Sequence, residues 1–464
     1  MIAPSLISQL KKSFRGQLLT NSDQDYDAAR KVFNVMINRR PEIIARCGSP
    51  EDVAQAINFA RQHGTLVSVR GTGHNVAGYA VCDDGIVIDL SPMKDIQVDA
   101  AAHRIRVGAG LTWGEVNDAL QPYGLAATGG FVSVTGVSGL TLGGGLGWLV
   151  RQHGLALDNL VSVQVVLADG RIVTASASDN EDLFWAIRGG GGNFGIVTSF
   201  EFRVHPVGTV LAGVILHPAK TAVDVLRHWR DFEKTSPNKL TQGALLFHFP
   251  DDPSGPPALR AKPVIGVGGV YAGPVKEGEE VLASLRSYGP PATDLFQPMP
   301  YNQAQRMADF LWPSGLHGYW KSSYMEDMSD EAIAVVIDYF ARVPSRHTVI
   351  VLEFNGNGAM SRVPESATAF GHRKWPFNFL VTSAWSDPSD TDRNITWTRE
   401  FFEAMRPFLA NASYVNYIGD EGLDGVRSSY DPAKFARLAA LKSKYDPANL
   451  FRMNQNIAPV PEAA

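Results

Sequence analysis

Residues 68–75 read Ser68-Val69-Arg70-Gly71-Thr72-Gly73-His74-Asn75, and residues 135–147 read Thr135-Gly136-Val137-Ser138-Gly139-Leu140-Thr141-Leu142-Gly143-Gly144-Gly145-Leu146-Gly147. The apolar run Leu66, Val67, Val69 predicts a strand that stops at Gly71. Gly71 and Gly73 let the backbone take positive φ and turn N–H groups inward. Such a loop is an anion nest, and Arg70 adds charge beside it. His74 stands on its lip, within reach of a ring system attached to a bound pyrophosphate. In the second stretch, glycines at 136, 139, 143, 144, 145 and 147 exceed the needs of one turn. So many missing side chains predict a flat, bulky ligand against the backbone, with Val137, Leu140, Leu142 and Leu146 pinning a strand behind it.

A third glycine cluster fixes the fold class by exclusion. Gly190-Gly191-Gly192-Asn193-Phe194-Gly195 fits G-x-G-x-x-G literally. A Rossmann fingerprint needs a strand before the glycines and a helix after them. Here a predicted helix, Asn180 to Ile187, precedes, and a predicted strand, Ile196 to Val204, follows. The inverted order rules out that fold. The loop at Arg70–His74 also lacks the lysine and following Ser or Thr of a P-loop. The eleven histidines contain no H-x-x-x-H or H-E-x-x-H pair, so no metal site is expected.

Working outward, Ser49-Pro50-Glu51-Asp52 opens a helix with proline and acids at its positive end; Val53, Ile57 and Ala60 share a face and Gly64 closes it. Thr112-Trp113-Gly114-Glu115 is a capping box ahead of Trp113, Val116 and Leu120. Residues 162–176 predict a hairpin about Asp169-Gly170. Pro206 and Gly208 mark a boundary. From 209 to 411 glycine clusters thin out, and strands such as Thr348–Phe354 and Phe377–Trp385 alternate with amphipathic helices, one capped by Ser329. This segment is predicted to be a second α+β domain with an antiparallel sheet. The Gly, Tyr and Asn texture returns from about Ala412.

The 464 residues are 45% hydrophobic and 19% charged with net charge −5, which leaves no basic footprint for nucleic acid. Two cysteines, Cys47 and Cys82, make no disulfide framework. No run of about 18 apolar residues predicts a membrane span, and no apolar h-region follows the first basic residues. The expected setting is cytoplasmic.

Taken together, these stretches resemble the FAD-linked oxidases of the berberine bridge enzyme type, within the vanillyl-alcohol oxidase (PCMH-type) flavoprotein superfamily. Arg70-Gly71-Thr72-Gly73-His74-Asn75 resembles the family's flavin loop, whose histidine bonds the 8α-methyl of the isoalloxazine; His74 falls on that position. The stretch from Thr135 through Gly136, Ser138, Gly139, Gly143, Gly144, Gly145 and Gly147 resembles the second flavin segment. Gly192–Val197, with Ile196 and Val197, resembles the adenine and ribose side. Tyr414-Val415-Asn416-Tyr417 resembles a Tyr-x-Asn motif facing the flavin. Asn449–Asn456, with Asn454 and Asn456, resembles the terminal signature.

The resemblance implies an α+β, two-domain PCMH-type fold. Residues 1–208 would form the FAD domain, 209–411 an inserted antiparallel-sheet substrate domain, and 412–464 a segment completing the FAD domain. It implies hydride transfer from a small alcohol, sugar or amine carbon to FAD, with reoxidation by O2 to H2O2. A dehydrogenase using another acceptor, or a flavin binder without turnover, is the alternative. Many members carry a second, cysteinyl link; that position is Val132 here, so a single link through His74 is expected. Leu380 takes the place of a polar or acidic residue, so no carboxylate base is expected from Phe377–Trp385. Tyr414 is expected as base or substrate orienter, held by Asn416, and Thr135 as the residue that admits O2. Trp312, Tyr319, Trp320 and Tyr324 are expected first as core and second as sugar-stacking surfaces. The oligomeric state is left open.

Overall fold

The computed structural model describes residues 2–252 and 256–461. Its N-terminal half holds two larger sheets and the two-stranded pair Leu125–Ala126 with His205–Pro206. The first runs in the order Gln17–Leu19, Ile43–Arg46, Ile86–Asp89, Val67–Arg70, parallel across its last three strands. Such parallel pairing requires a crossover, and helix Pro50–His63 supplies it. Ser49 caps that helix by accepting from the Asp52 N–H, Pro50 takes its first turn, and Gly64 ends it in the left-handed region. The second sheet is antiparallel, in the order Ile96–Asp99, Arg104–Gly108, Ile196–Arg203, Leu160–Val166, Ile172–Ser176. Helix Trp113–Leu120 starts in the expected capping box. Glu181–Ile187 is a helix and Ile196–Arg203 a strand, so the inverted order around the third glycine cluster is as read. One apolar core joins both sheets and takes in Leu438, Phe451 and Ile457 from the C-terminal stretch.

An eight-stranded antiparallel sheet follows, built from strands between Thr209 and Trp385. Alternation along each strand sorts its two faces. Phe377, Phe379 and Val381 pack with Ile350 and Leu352 against helices Ala222–Glu233, Asp330–Ala341 and Thr391–Met405. Leu380, Val351, Leu245 and Phe247 point the other way, over the N-terminal half.

Residues 135–147 depart from expectation. Val137–Gly143 is a helix, with Gly136 at its N-cap, and no strand runs there. Val137, Ser138, Thr141 and Leu142 are buried, in the i, i+4 pairs that mark one helix face.

Buried polar contacts fasten the large sheet to the N-terminal half. Arg151, fully buried, donates to the carbonyls of Gly356, Ser236 and Leu240 and to Ser236 Oγ, and pairs with Glu233 at 3.4 Å. Arg373 grips both oxygens of Asp158, at 2.7 and 3.0 Å. Where the chain leaves the N-terminal half, His205 stacks on His153 with ring centroids 3.7 Å apart and 9° between planes. His205 Nε2 also lies 2.7 Å from Asn159 Oδ1, and Asn159 in turn donates to Thr128, His153 and Leu155.

Burial lowers His153 to about 4 and His205 to about 3, so both rings are neutral at pH 7. An unfolded histidine takes its proton near about 6.5, so the unfolded chain binds more protons below that pH. Stability contributed by the neutral stack is therefore complete above about pH 6.5 and is lost as pH falls toward 4. Urea unfolding followed at pH 7.5 and 5.0 is expected to show a lower midpoint at pH 5.0. The His153→Asn/His205→Asn double variant should show a smaller difference between the two pH values; an unchanged difference would place the acid sensitivity elsewhere.

Candidate active site

A cavity of about 610 Å³ lies between the glycine-rich floor and the large sheet. Gly71, Thr72, Gly73, His74 and Asn75 form one wall. Gly73 takes φ +77°, as expected, whereas Gly71 is not in the positive region. Gly71 is required instead by the close approach of Ser138 Oγ, which a Cβ there would strike. Arg70 does not face the cavity: its guanidinium turns onto the Ala29 carbonyl. Arg70 therefore adds no charge to the cavity wall.

Thr135, Gly136, Ser138, Gly139 and Gly143 line the floor. Only part of the glycine excess serves a ligand. A Cβ on Gly139 would meet nothing within 4 Å, which leaves an open patch of backbone. A Cβ on Gly144 would stand 2.7 Å from the Tyr414 ring, one on Gly143 would strike Asn416, and one on Gly147 would strike the Gly129 carbonyl. Gly144, Gly145 and Gly147 thus serve protein packing, and they lie outside the cavity lining. Ile196 and Val197 line the far end together with Asn454. Asn454 Nδ2 donates to the Gly192 and Phe451 carbonyls, while its Oδ1 is buried without a partner. Asn456 lies just behind this wall, outside the lining. Asn193 ties the C-terminal stretch to the third glycine cluster, donating to the Gly190 and Gln455 carbonyls and accepting from the Ile457 N–H.

His74 lines the cavity, with Nε2 buried and unpartnered. Burial lowers it to about 4, so the imidazole is neutral at pH 7 with a lone pair free. Val132 lines the wall beyond the glycines, while Cys47 and Cys82 are buried in cores elsewhere.

Tyr414 is not where a base would have to be. It is 1% exposed, and its hydroxyl accepts from the Gly145 N–H and Asn416 Nδ2, both at 2.8 Å. Asn416 does hold it, as expected, and also donates to the Leu140 carbonyl. Burial pushes Tyr414 up to about 12, and its hydroxyl lies behind the floor. Asn416 and Val415 line the cavity, and the ionisable residues that meet it here are Tyr417 and Glu353. Tyr417 Oη donates to Glu353 Oε1 at 2.9 Å, and Asn378 Nδ2 donates to Oε2 at 2.8 Å. Burial raises Glu353 to about 7 despite these two donors. Leu380 lines the cavity as an apolar residue, so the carboxylate comes from the neighbouring strand, Val349–Phe354. A signal was present: Glu353 is the lone charge in the buried run Val349-Ile-Val-Leu-Glu-Phe354.

Tyr324 is core, as expected, but Trp312 and Trp320 line the cavity. Trp312 Nε1 donates to Thr382 Oγ1 at 3.0 Å, which fixes its indole. Among the described residues no group of three or more His, Cys, Asp or Glu could hold a metal ion, and no helix is long and apolar enough to cross a membrane.

The open backbone at Gly139, the unpartnered acceptor Asn454 Oδ1 and the unpartnered neutral imidazole of His74 fit FAD. Residues 41–176 match the family model of the FAD binding domain, and residues 413–458 match that of berberine and berberine-like proteins. The fold and site are thus those of a flavoprotein oxidoreductase of the PCMH type. The chain is 31% identical over 462 residues to the uncharacterized FAD-linked oxidoreductase YgaK of Bacillus subtilis, covering 97% of this chain and 98% of that one. It is 30% identical over 468 residues to (R)-6-hydroxynicotine oxidase of Paenarthrobacter nicotinovorans, covering 96% and 97%. Among solved structures, 6-hydroxy-D-nicotine oxidase from Arthrobacter nicotinovorans superposes with a TM-score of 0.88 at 27% identity, over 99% of this chain and all of that one. The chain belongs to the berberine bridge enzyme-like family of FAD-linked oxidoreductases.

Replacing Tyr414 by Phe removes the acceptor of two buried donors, a loss of about 1–3 kcal/mol. Tyr414→Phe is expected to lower the urea midpoint and leave the pH profile of flavin reduction unmoved. A displaced profile would return proton transfer to Tyr414.

Proposed function

We propose that this protein is an oxidase that removes a hydride from a carbon bearing nitrogen or oxygen, with FAD held covalently through His74 alone and O2 as the electron acceptor. The observation that carries the reading is the Tyr417–Glu353 pair, buried in the roof and facing the cavity above the glycine floor. When bound, FAD supplies the two-electron acceptor for the substrate hydride and passes the electrons to O2, giving H2O2. The backbone of Gly71–Asn75, with Gly136, Ser138 and Gly139, would hold that cofactor, and Asn454 would bond its far end. Residues 1–208 with 412–464 then act as the cofactor domain and 209–411 as the substrate domain; the way Leu438, Phe451 and Ile457 join the N-terminal core supports that division.

Loss of a hydride from an alcohol or amine carbon requires loss of a proton from its O–H or N–H. Tyr417 Oη takes that proton as its own passes to Glu353 Oε1. Asn378 holds the second oxygen, so the carboxylate presents one fixed face. A carboxylate near pH 7 is matched to accept and return a proton at neutral pH. Thr135 lines the cavity with a valine-sized side chain, which leaves O2 a path.

The substrate half of the cavity is walled by Leu245, Phe247, Leu311, Trp312 and Leu380. The Thr382 hydroxyl is already engaged, donating to Val349 and accepting from Trp312. Gln242, Gln297 and the Tyr417–Glu353 pair are the polar groups near this wall, and each sugar hydroxyl they left unsatisfied would cost about 1–3 kcal/mol. Among the described residues, Glu353 is the one acidic residue in the lining, and no Lys or Arg stands there. These features favour an apolar, ring-bearing amine over a carbohydrate.

The test is anaerobic flavin bleaching by a panel of aryl-substituted secondary amines, aryl alcohols and mono- and oligosaccharides, with peroxide measured when O2 is readmitted. Bleaching by amines with stoichiometric peroxide is expected; bleaching by sugars alone would overturn the substrate class, and slow reoxidation would indicate a dehydrogenase. With an active substrate in hand, Glu353→Gln and Tyr417→Phe should each slow reduction by about 10²–10⁴-fold. The wild-type rate should rise with pH through about 7, because the base must be ionised, and Glu353→Gln should remove that limb.

A further inference from the structure

The His74 imidazole has no hydrogen bond at Nε2 to set its plane. A ring does so instead. Phe33 stacks on His74 with centroids 4.2 Å apart and 14° between planes. Phe33 is itself held by its backbone, donating to the Gly73 carbonyl at 3.0 Å. Its neighbour Asn34 is 3% exposed and bonds in two directions. Asn34 Nδ2 donates to the Val76 carbonyl in the histidine loop and to the Gly318 carbonyl in the roof strand His317–Met325. The Gly318 N–H returns a bond to Asn34 Oδ1, and the Val35 N–H donates to the Leu316 carbonyl. Trp320, in the same roof strand and on the cavity wall, meets the Phe33 ring edge-on at 6.3 Å. Residues 33–35 are thus a strap that joins the histidine loop to the roof, with one ring laid flat on the imidazole.

We infer that Phe33 is the positioning residue for covalent attachment of the flavin at His74, and that the strap makes attachment depend on docking of the roof. This rests on the reading of His74 as the anchor. In that step a bond forms between an imidazole nitrogen and the 8α-carbon of the flavin. One C–H of the 8α-methyl and the imidazole N–H break, both hydrogens leaving as protons, and the bonding change delivers two electrons to the isoalloxazine. O2 removes those electrons and is reduced to H2O2. The nucleophile must be a neutral nitrogen aimed at one carbon, and an imidazole free to rotate would seldom present it. Phe33 covers one face of the ring, excludes water from it and leaves the other face to the cavity.

The test compares wild type, Phe33→Tyr, Phe33→Leu, Phe33→Ala, Asn34→Ala and His74→Ala as purified, yellow proteins. Each is precipitated with acid, flavin is measured in pellet and supernatant, and the FAD adduct is read from the intact mass. Wild type and Phe33→Tyr should keep their flavin in the pellet, and His74→Ala should release all of it. Phe33→Leu keeps apolar bulk without a ring face, so it should bind FAD yet carry about tenfold less adduct, the scale of a displaced nucleophile. Phe33→Ala and Asn34→Ala should fall the same way. Phe33→Leu protein with a full adduct would overturn the role of the strap while leaving His74 as the anchor. Release of flavin from wild type would overturn the anchor and the strap together. Should Phe33→Ala fail to fold, Phe33→Leu and Asn34→Ala carry the comparison.

Discussion

The hydroxyl of Tyr414 accepting from the Gly145 N–H is the contact on which the site depends. Gly145 takes φ +97°, a conformation that side-chain-bearing residues rarely adopt, and its N–H points away from any backbone partner. The segment Tyr414-Val415-Asn416-Tyr417 returns from the far end of the chain to satisfy it. Tyr414 and Asn416 face down, onto Gly145 and the Leu140 carbonyl. Tyr417 faces up, onto Glu353 in the roof. One tetrapeptide therefore fixes both the floor and the Tyr417–Glu353 pair above it, so the distance between them is set by local geometry rather than by docking of the two halves alone.

That arrangement places charge where water is excluded. Glu353 has two neutral donors and no cation, so burial rather than a neighbouring charge governs its affinity for a proton. Arg151–Glu233 and Arg373–Asp158 are each paired and further hydrogen-bonded, which fixes how the halves meet, although burial still raises Glu233 to about 7. Glu353 faces the cavity with Tyr417 and Asn378 as its partners, whereas Glu233 and Asp158 stand with their arginines where the halves meet.

Histidines divide in the same way. His153 and His205 stack on each other, and Asn159 holds His205 in a joint of the chain. His74 has a ring on one face and open cavity on the other. All three are held neutral by burial, yet only His74 leaves its lone pair facing a ligand space.

The sequence by itself determined the family and the class of cofactor, because these lie in short local patterns. The capping box at Thr112, the proline-led helix at Pro50 and the inverted order around Gly190–Gly195 are set by neighbours a few residues apart, and each formed as read. The tertiary structure decided what each residue does within those patterns. Arg70 stands beside the loop by position, but its guanidinium donates to the Ala29 carbonyl, contributed by a segment 41 residues earlier. Gly143, Gly144 and Gly147 are bare because Asn416, Tyr414 and the Gly129 backbone come close from remote parts of the chain. Tyr414 and Tyr417 stand three residues apart in one motif, and nothing local says which faces the cavity. Glu353 lies 64 residues before its partner, and Phe33 lies 41 before His74 in unremarkable sequence. Contacts between distant segments depend on how the sheets close over one another, and no short-range pattern encodes that closure.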